Sequence, residues 1–482
     1  MSVYDKYQPV IGLEVHCQLS TFTKAFAPDL NEYGSMPNTN ISMITLAHPG
    51  AMPRSNKKAV EFSIKMGLAC NSEITRYNYY DRKQYFYPDL PKGYQTTQDK
   101  TPICIGGKVG IKVDGVERMV QLNRIHMEED AGKSQHLNEE VDTLVDLNRA
   151  GVPLIEIVSE PDLWSSDEAY AFLTEIRKIV RYLEICDGNM EEGSLRCDAN
   201  ISVMLKGSKT LGKKVEVKNM NSFKNVQRAI DFEVKRQIDL IEEGEDFASE
   251  TRLFDANTGL THSMRSKEGM NDYRYFPEPD LQPIVVSEQW LASIKAEMPP
   301  LPHELLYKFV NTYSLPEYDS LVLTDAKDTA LFFEEICKHT TNYKAASNWM
   351  LGSIKSYLNE LTLSLADFKI SPKYIADLIA LIDSNKVSNT AATQKIFPEM
   401  VKDPSKTPLQ VAESLDLLQN SDSGALTEFV NKAIASYPDE VLKYKAGKKN
   451  LIGLFMGEVM KLSGGKADPK VTSELVRKAL EV

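Results

Sequence analysis

His126-Met127-Glu128-Glu129-Asp130-Ala131-Gly132-Lys133 is the stretch on which the reading of this chain turns. Three successive positions carry carboxylates. Packed carboxylates repel, so a folded chain keeps them in water or around cations. The preceding residues, Val120-Gln121-Leu122-Asn123-Arg124-Ile125, alternate apolar and polar, which predicts a strand and a rigid seat for the acids. Two readings follow. One is an acidic strand end in water. The other is a divalent-metal site of oxygen ligands, with Lys133 beside it for phosphate.

Other stretches repeat the pattern. Ile11-Gly12-Leu13-Glu14-Val15-His16-Cys17-Gln18-Leu19 predicts a strand with Ile11, Leu13, Val15 and Cys17 on one face and Glu14, His16 and Gln18 on the other. Glu14 and His16 then stand about 7 Å apart, close enough to converge on one ion. Leu195 to Val203 alternates likewise and presents Arg196, Asp198 and Asn200, with neither Lys nor Glu on the polar side. Solvated faces are usually rich in Lys and Glu, so this face suits ion and hydrogen-bond chemistry better. Val215-Glu216-Val217-Lys218 adds an acid and a base. Such strands suit a curved, mostly antiparallel sheet that packs on helices and faces a polar cleft. Carboxylates for divalent cations, with Lys83, Arg196 and Lys218 to neutralise phosphate, suit phosphoryl transfer. The chain has no Gly-x-x-x-x-Gly-Lys-Ser/Thr and no Gly-x-Gly-x-x-Gly, which disfavours P-loop, kinase-type and Rossmann sites.

At 482 residues the chain is too long for one core. Three prolines in Met298-Pro299-Pro300-Leu301-Pro302 mark a boundary, and the pattern beyond it is helical. Pro404 to Pro408 marks a second. The expected domains are 1–295, 296–407 and 408–482. Helices are expected over 56–68, from 165, over 222–243, and later over 328–337, 346–358, 373–381 and 451–462. Residues 77–94 hold seven aromatics in 18 positions, interleaved with Arg82, Lys83 and Lys92. They suit either base stacking with phosphate contact or a Tyr-rich sheet layer. The net charge of −12 argues against general nucleic-acid coating but leaves room for a local basic surface. Seven lysines between 443 and 470, with Lys448 and Lys449 at a helix start, form either a phosphate-backbone contact or a solvated face. No run approaches the roughly 18 apolar residues of a membrane span. The N-terminus lacks the order of a secretory signal, and the six cysteines are scattered without Cys-x-x-Cys spacing. These features predict reduced thiols and a cytoplasmic protein.

Five motifs together resemble one family. They are Ile11-Gly12-Leu13-Glu14-Val15-His16, Asp81-Arg82-Lys83-x-Tyr85-Phe86-Tyr87-Pro88, the opening His126–Lys133 stretch, Glu192-Gly193-Ser194-Leu195-Arg196-Cys197-Asp198-Ala199-Asn200, and Asp272-Tyr273-Arg274-Tyr275-Phe276-Pro277-Glu278-Pro279-Asp280. In this order they resemble the B subunits of the aspartyl/glutamyl-tRNA(Asn/Gln) amidotransferases. The resemblance implies an α+β chain: a glutamine-synthetase-like cradle, an all-α domain and a small all-α tail like YqeY proteins. It implies ATP-dependent amidation of glutamate on tRNA(Gln) or aspartate on tRNA(Asn), with ammonia channelled from an amidase A subunit and a small C subunit completing a heterotrimer. By motif position it implies a catalytic set of Glu14, His16, Lys83, Glu128, Glu129, Arg196 and Asp198. Glu14, His16 and Glu129 would hold Mg²⁺, or Mn²⁺ in view of the histidine. Glu128 and Asp198 would hold a second ion or orient ligands. Lys83, Arg196, Glu216 and Lys218 would bind ATP, and Lys448 and Lys449 would bind tRNA. Many members carry a four-cysteine zinc site; residues 24–50 here contain no cysteine, so zinc is not expected. The rival readings are a stand-alone ATP-dependent small-molecule ligase and a non-catalytic tRNA-binding scaffold.

Overall fold

The computed structural model describes residues 2–136, 142–266, 273–419, 423–463 and 467–481. Asp272 of the fifth motif and Lys466 of the lysine-rich tail lie outside them. The backbone divides into two compact units, Met1–Pro302 and His303–Val482.

The first unit is built on a ten-stranded sheet. Its principal strands are β1 (Tyr7–Gln18), β4 (Val116–Glu129), β5 (Pro153–Ser159), β6 (Leu195–Leu205), β7 (Val215–Met220), β8 (Glu250–Asp255) and β9 (Leu260–Ser266). Two further strands, β2 (Asp81–Gln84) and β3 (Tyr94–Thr97), join Phe276–Pro277 in a small separate sheet. The large sheet runs β9-β8-β7-β6-β1-β5-β4 and ends in two short strands. All these neighbours are antiparallel except the parallel pair β7 and β8.

Alternation along β1 decides which way the sheet faces. Ile11, Leu13, Val15 and Cys17 are fully buried, while Glu14, His16 and Gln18 are half-buried on the other side. Burying each large apolar side chain contributes about 2 kcal/mol. Three helices cover the apolar side. They are α1 (Lys57–Ala69), α2 (Ser166–Tyr182) and α3 (Phe223–Glu243). The side chains of Asn56, Ser165 and Ser222 accept the first free backbone N–H groups of these helices. Gly244, at φ 77°, closes α3 in the left-handed conformation that suits glycine. The expected capping box at Ser165 is half formed. Ser165 accepts from the Glu168 N–H, but the Glu168 carboxylate accepts from the Trp164 N–H and pairs with Arg118.

The opening stretch is strand through Glu129, so the acids are not a solvated strand end. Gly132 follows because the turn is tight: a Cβ there would stand 2.9 Å from the Asp146 carbonyl and 3.0 Å from that of Asp89. Lys133, expected beside the acids, lies exposed in a separate two-stranded ribbon, Lys133–His136 with Thr143–Asp146. The proline-rich 20–55 loop is tied down by polar contacts. Ser42 and Thr45 donate to Asp29, and Asn38 bonds Asp146, Val145 and Leu147. All six cysteines are buried and unbridged.

The second unit contains no strand among its described residues. The expected 346–358 helix is Tyr343–Trp349, a π turn over Met350–Ile354, and Lys355–Glu360. Pro408–Ser414 packs on Pro372–Asp383 and Phe397–Lys402. The four last helices, from Ser423 to Glu481, share their own core of Leu426, Val430, Phe455, Val459, Val476 and Leu480. No helix among the described residues is long and apolar enough to cross a membrane.

Candidate active site

Strand register assembles the polar face. His16 on β1 stands opposite Glu156 on β5 and Arg196 on β6; Glu156 stands opposite His126 on β4. His16, Glu128 and Glu156 each offer one ligand atom, and the three atoms lie within 4.8 Å of one another. His16 Nε2 is 3.4 Å from Glu156 Oε2. His126 Nε2 lies 3.4 Å from Glu128 Oε1 and 3.5 Å from Glu156 Oε2. Thr97 Oγ1 and Gln95 Nε2 donate to Glu128 at 2.7 and 3.0 Å, so β3 fixes that carboxylate from above. Burial opposes the charge on Glu156, but His126, His16 and Lys83 outweigh it and hold the carboxyl far below its usual range. Glu128 is likewise lowered: burial raises it, and His126 and Lys83 prevail. For His16, burial lowers the pKa while its bond to Glu156 raises it, with a net upward shift.

A second acidic set lies one step along the face. Glu14, Asp198 and Glu216 also bring one oxygen each within 4.8 Å of one another. Glu14 pairs with Asp198 across β1 and β6, and Asn200 pairs with Glu216 across β6 and β7. Asn200 Nδ2 donates to Glu14 at 2.8 Å and Thr251 Oγ1 to Glu216 at 2.8 Å. Lys218 bridges Asp198 and Glu216, which raise its pKa against the effect of burial. Among the described residues no cation pairs with Glu14 in this way. Burial first, then Glu156, Glu216 and Asp198, push its pKa up.

Cationic side chains border both sets. Lys83 is held above its usual pKa: burial lowers it, but Glu128, Tyr275 and Glu156 outweigh that. Arg196 spends one nitrogen on Asp130 at 2.7 Å, and its buried Nε has no hydrogen-bond partner. Gln18 also donates to Asp130 at 2.7 Å.

Glu129 goes elsewhere. Consecutive strand residues point to opposite faces, and Glu129 projects to the reverse side of β4. There it pairs with Lys92 and accepts from the Thr96 N–H at 2.8 Å. It lines a cavity of about 250 Å³ with Phe26, His48, Lys92, Tyr94 and Glu278. The expected trio Glu14, His16 and Glu129 is therefore not brought together. His16 meets Glu128 and Glu156 instead, because the period-two alternation selects Glu128. Glu156 and His126 were not among the expected site residues. The signal for Glu156 was a lone carboxylate inside Leu154-Ile155-Glu156-Ile157-Val158, a run apolar enough for a buried strand. Lys448 and Lys449 are exposed where Lys449–Leu451 begins, with Lys449 Nζ 4.2 Å from the centre of the Tyr444 ring.

Comparison with known proteins shows the family. Residues 9–292 match the family model described as the GatB/GatE catalytic domain, and residues 331–480 match that described as the GatB domain. The B chain of the aspartyl/glutamyl-tRNA(Asn/Gln) amidotransferase of Trichlorobacter lovleyi is 47% identical over 475 residues, covering 98% of this chain and 99% of its own length. Its counterpart in Caldicellulosiruptor bescii is 47% identical over 479 residues, 99% of each chain. That of Trichodesmium erythraeum is 46% identical over 489 residues, again 99% of each. With two family models over most of its length and relatives 46–47% identical end to end, the chain belongs to the family of aspartyl/glutamyl-tRNA(Asn/Gln) amidotransferase B subunits.

Proposed function

We propose that this protein carries the ATP-dependent half of the amidation of glutamate or aspartate esterified to tRNA. An oxygen of the amino acid's side-chain carboxylate attacks the γ-phosphorus of ATP, and ADP leaves. Ammonia then attacks the activated acyl carbon, and phosphate leaves. The observation that carries this reading is the polar sheet face, with two three-acceptor sets side by side and Lys83 and Arg196 at their border.

The donors fit divalent cations. Glu128, Glu156 and His16 make a mixed oxygen and nitrogen set that suits Mn²⁺ or Mg²⁺; Glu14, Asp198 and Glu216 make an all-oxygen set in which Lys218 already supplies one positive charge. When bound, a divalent cation supplies charge neutralisation of the phosphates. Lys83, Arg196 and Lys218 neutralise the moving phosphoryl group, and Gln95 and Thr97 keep Glu128 oriented. The cavity behind Glu129 serves ammonia. A water's share of liquid volume is about 30 Å³, so about 250 Å³ accommodates several small molecules. The Lys92–Glu129 pair stands in its wall, one residue away from Glu128. Glutamine hydrolysis belongs to a partner amidase, with a small third chain completing the enzyme.

In the helical unit, the division between an all-α domain and the tail falls between Ser414 and Ser423, since Pro408–Ser414 packs with the helices before it. The tail, through Lys448 and Lys449, contacts the RNA backbone. The test is ADP release by the assembled enzyme in the presence of misacylated tRNA. Glu156→Gln is expected to reduce it by about 10²–10³-fold; an unchanged rate would overturn the assignment.

A further inference from the structure

Four tyrosines form a row just past the end of β2 and just before the Phe276–Pro277 segment that pairs with it. Ring centres are 5.9 Å apart for Tyr87 and Tyr85, 6.4 Å for Tyr85 and Tyr273, and 5.8 Å for Tyr273 and Tyr275, all edge to face. The edge-to-face pair Phe309 and Phe333, 4.8 Å apart, is by contrast fully buried. This row is not. Tyr275 is 38% exposed and Tyr87 56% exposed at its two ends. Lys83 Nζ stands 5.0 Å from the centre of the Tyr273 ring, and the same ammonium is charge-coupled to Glu128, Tyr275 and Glu156. Both ends of the row are therefore open to solvent, and the Tyr275 end is the one that lies beside Lys83 and the acidic face.

We infer that Tyr275 seats the terminal adenine of the aminoacyl-tRNA by stacking, so that the esterified amino acid reaches Lys83 and the acidic face. The inference rests on the amidation reading and adds the place where the RNA's end is held. Stacking is the appropriate chemistry. The chain carries a net charge of −12, so attraction to phosphates is weak away from local lysines, whereas a base stacks on an aromatic ring whatever the surrounding charge. Continuity with the cleft favours a nucleoside over a protein partner, which would not need the lysine and acids beside Tyr275.

The test uses the assembled enzyme and misacylated tRNA whose terminal adenosine is replaced by 2-aminopurine riboside. Binding to the unaltered enzyme should quench the fluorophore. Tyr275→Leu should abolish the quenching and raise the KM for aminoacyl-tRNA by about tenfold, with the KM for ATP unchanged. Tyr275→Phe, which keeps the ring, should restore both. An active enzyme that leaves the fluorophore unquenched, or a Leu variant that quenches it fully, would overturn the inference while leaving the amidation reading intact. So would a Leu variant whose only defect is loss of a partner protein on size-exclusion chromatography. Failure of the unaltered enzyme to amidate misacylated tRNA would instead overturn the parent reading.

Discussion

Glu128 and Glu129 are adjacent in the chain and belong to different regions of the molecule. Glu128 looks into a face of carboxylates and imidazoles, held by Thr97 and Gln95 and joined by His16 and Glu156. Glu129 looks into a small cavity and is matched by one cation, Lys92. The period of two that separates them is the same device that separates Glu14 from Leu13. The difference teaches that several acids converging on one face are suited to gather cations, whereas a single acid paired with a lysine beside a cavity is suited to gate it.

The comparison is broken most severely at the acidic face. Neutralising Glu128 or Glu156 to glutamine should cost about 10²–10³-fold in tRNA-dependent ADP release. Next comes the reverse side. Glu129→Gln should leave that ADP release near its normal rate and lower glutamine-driven amidation by about tenfold, on the order of one lost charged hydrogen bond. Amidation driven by added ammonium salt should be less affected. Equal loss in both assays would merge the two regions into one.

A stability experiment sharpens the reverse side. Lys24 is fully buried near this cavity, its ammonium 3.4 Å from the Leu147 carbonyl. Burial lowers its pKa to about 8, against opposing pulls from Asp29, Asp146 and Glu129. Between pH 8 and the ordinary lysine range of about 10.4 the unfolded chain holds this proton and the folded chain does not, so folding gains stability as pH rises through that window. Lys24→Met should therefore stabilise the protein near pH 7 by about 2 kcal/mol, with the gain shrinking toward pH 10 in denaturant titrations. A gain independent of pH would show that the ammonium is not strained.

The smallest effects belong to the tail. Lys448→Ala and Lys449→Ala should each reduce the salt dependence of tRNA binding by about one unit of slope, and weaken affinity similarly for all sequences. An unchanged slope would mark these lysines as a solvated face.

Much of this was legible in the chain. Alternation in residues 11–19 and 195–203 located two central strands and their polar sides, and Asn56, Ser165 and Ser222 located three helix starts. What stayed hidden was mostly lateral. Glu156 entered the site through its register opposite His16 and His126, and register depends on neighbours far away in sequence. Glu129 is the expected ligand and Glu128 the secondary one, and the strand reverses them, because β4 includes both and sends adjacent residues to opposite sides. The Lys218 bridge and the orphaned Arg196 Nε likewise arise from packing between β6 and its neighbours, which spacing alone does not reveal.

The most direct test is a titration with Mn²⁺ of the unaltered protein, Glu128→Gln and Glu129→Gln, with bound ion read by electron paramagnetic resonance. The account predicts that Glu128→Gln loses a high-affinity site and that Glu129→Gln retains every site of the unaltered protein. Loss of the site in Glu129→Gln, with Glu128→Gln binding normally, would contradict it.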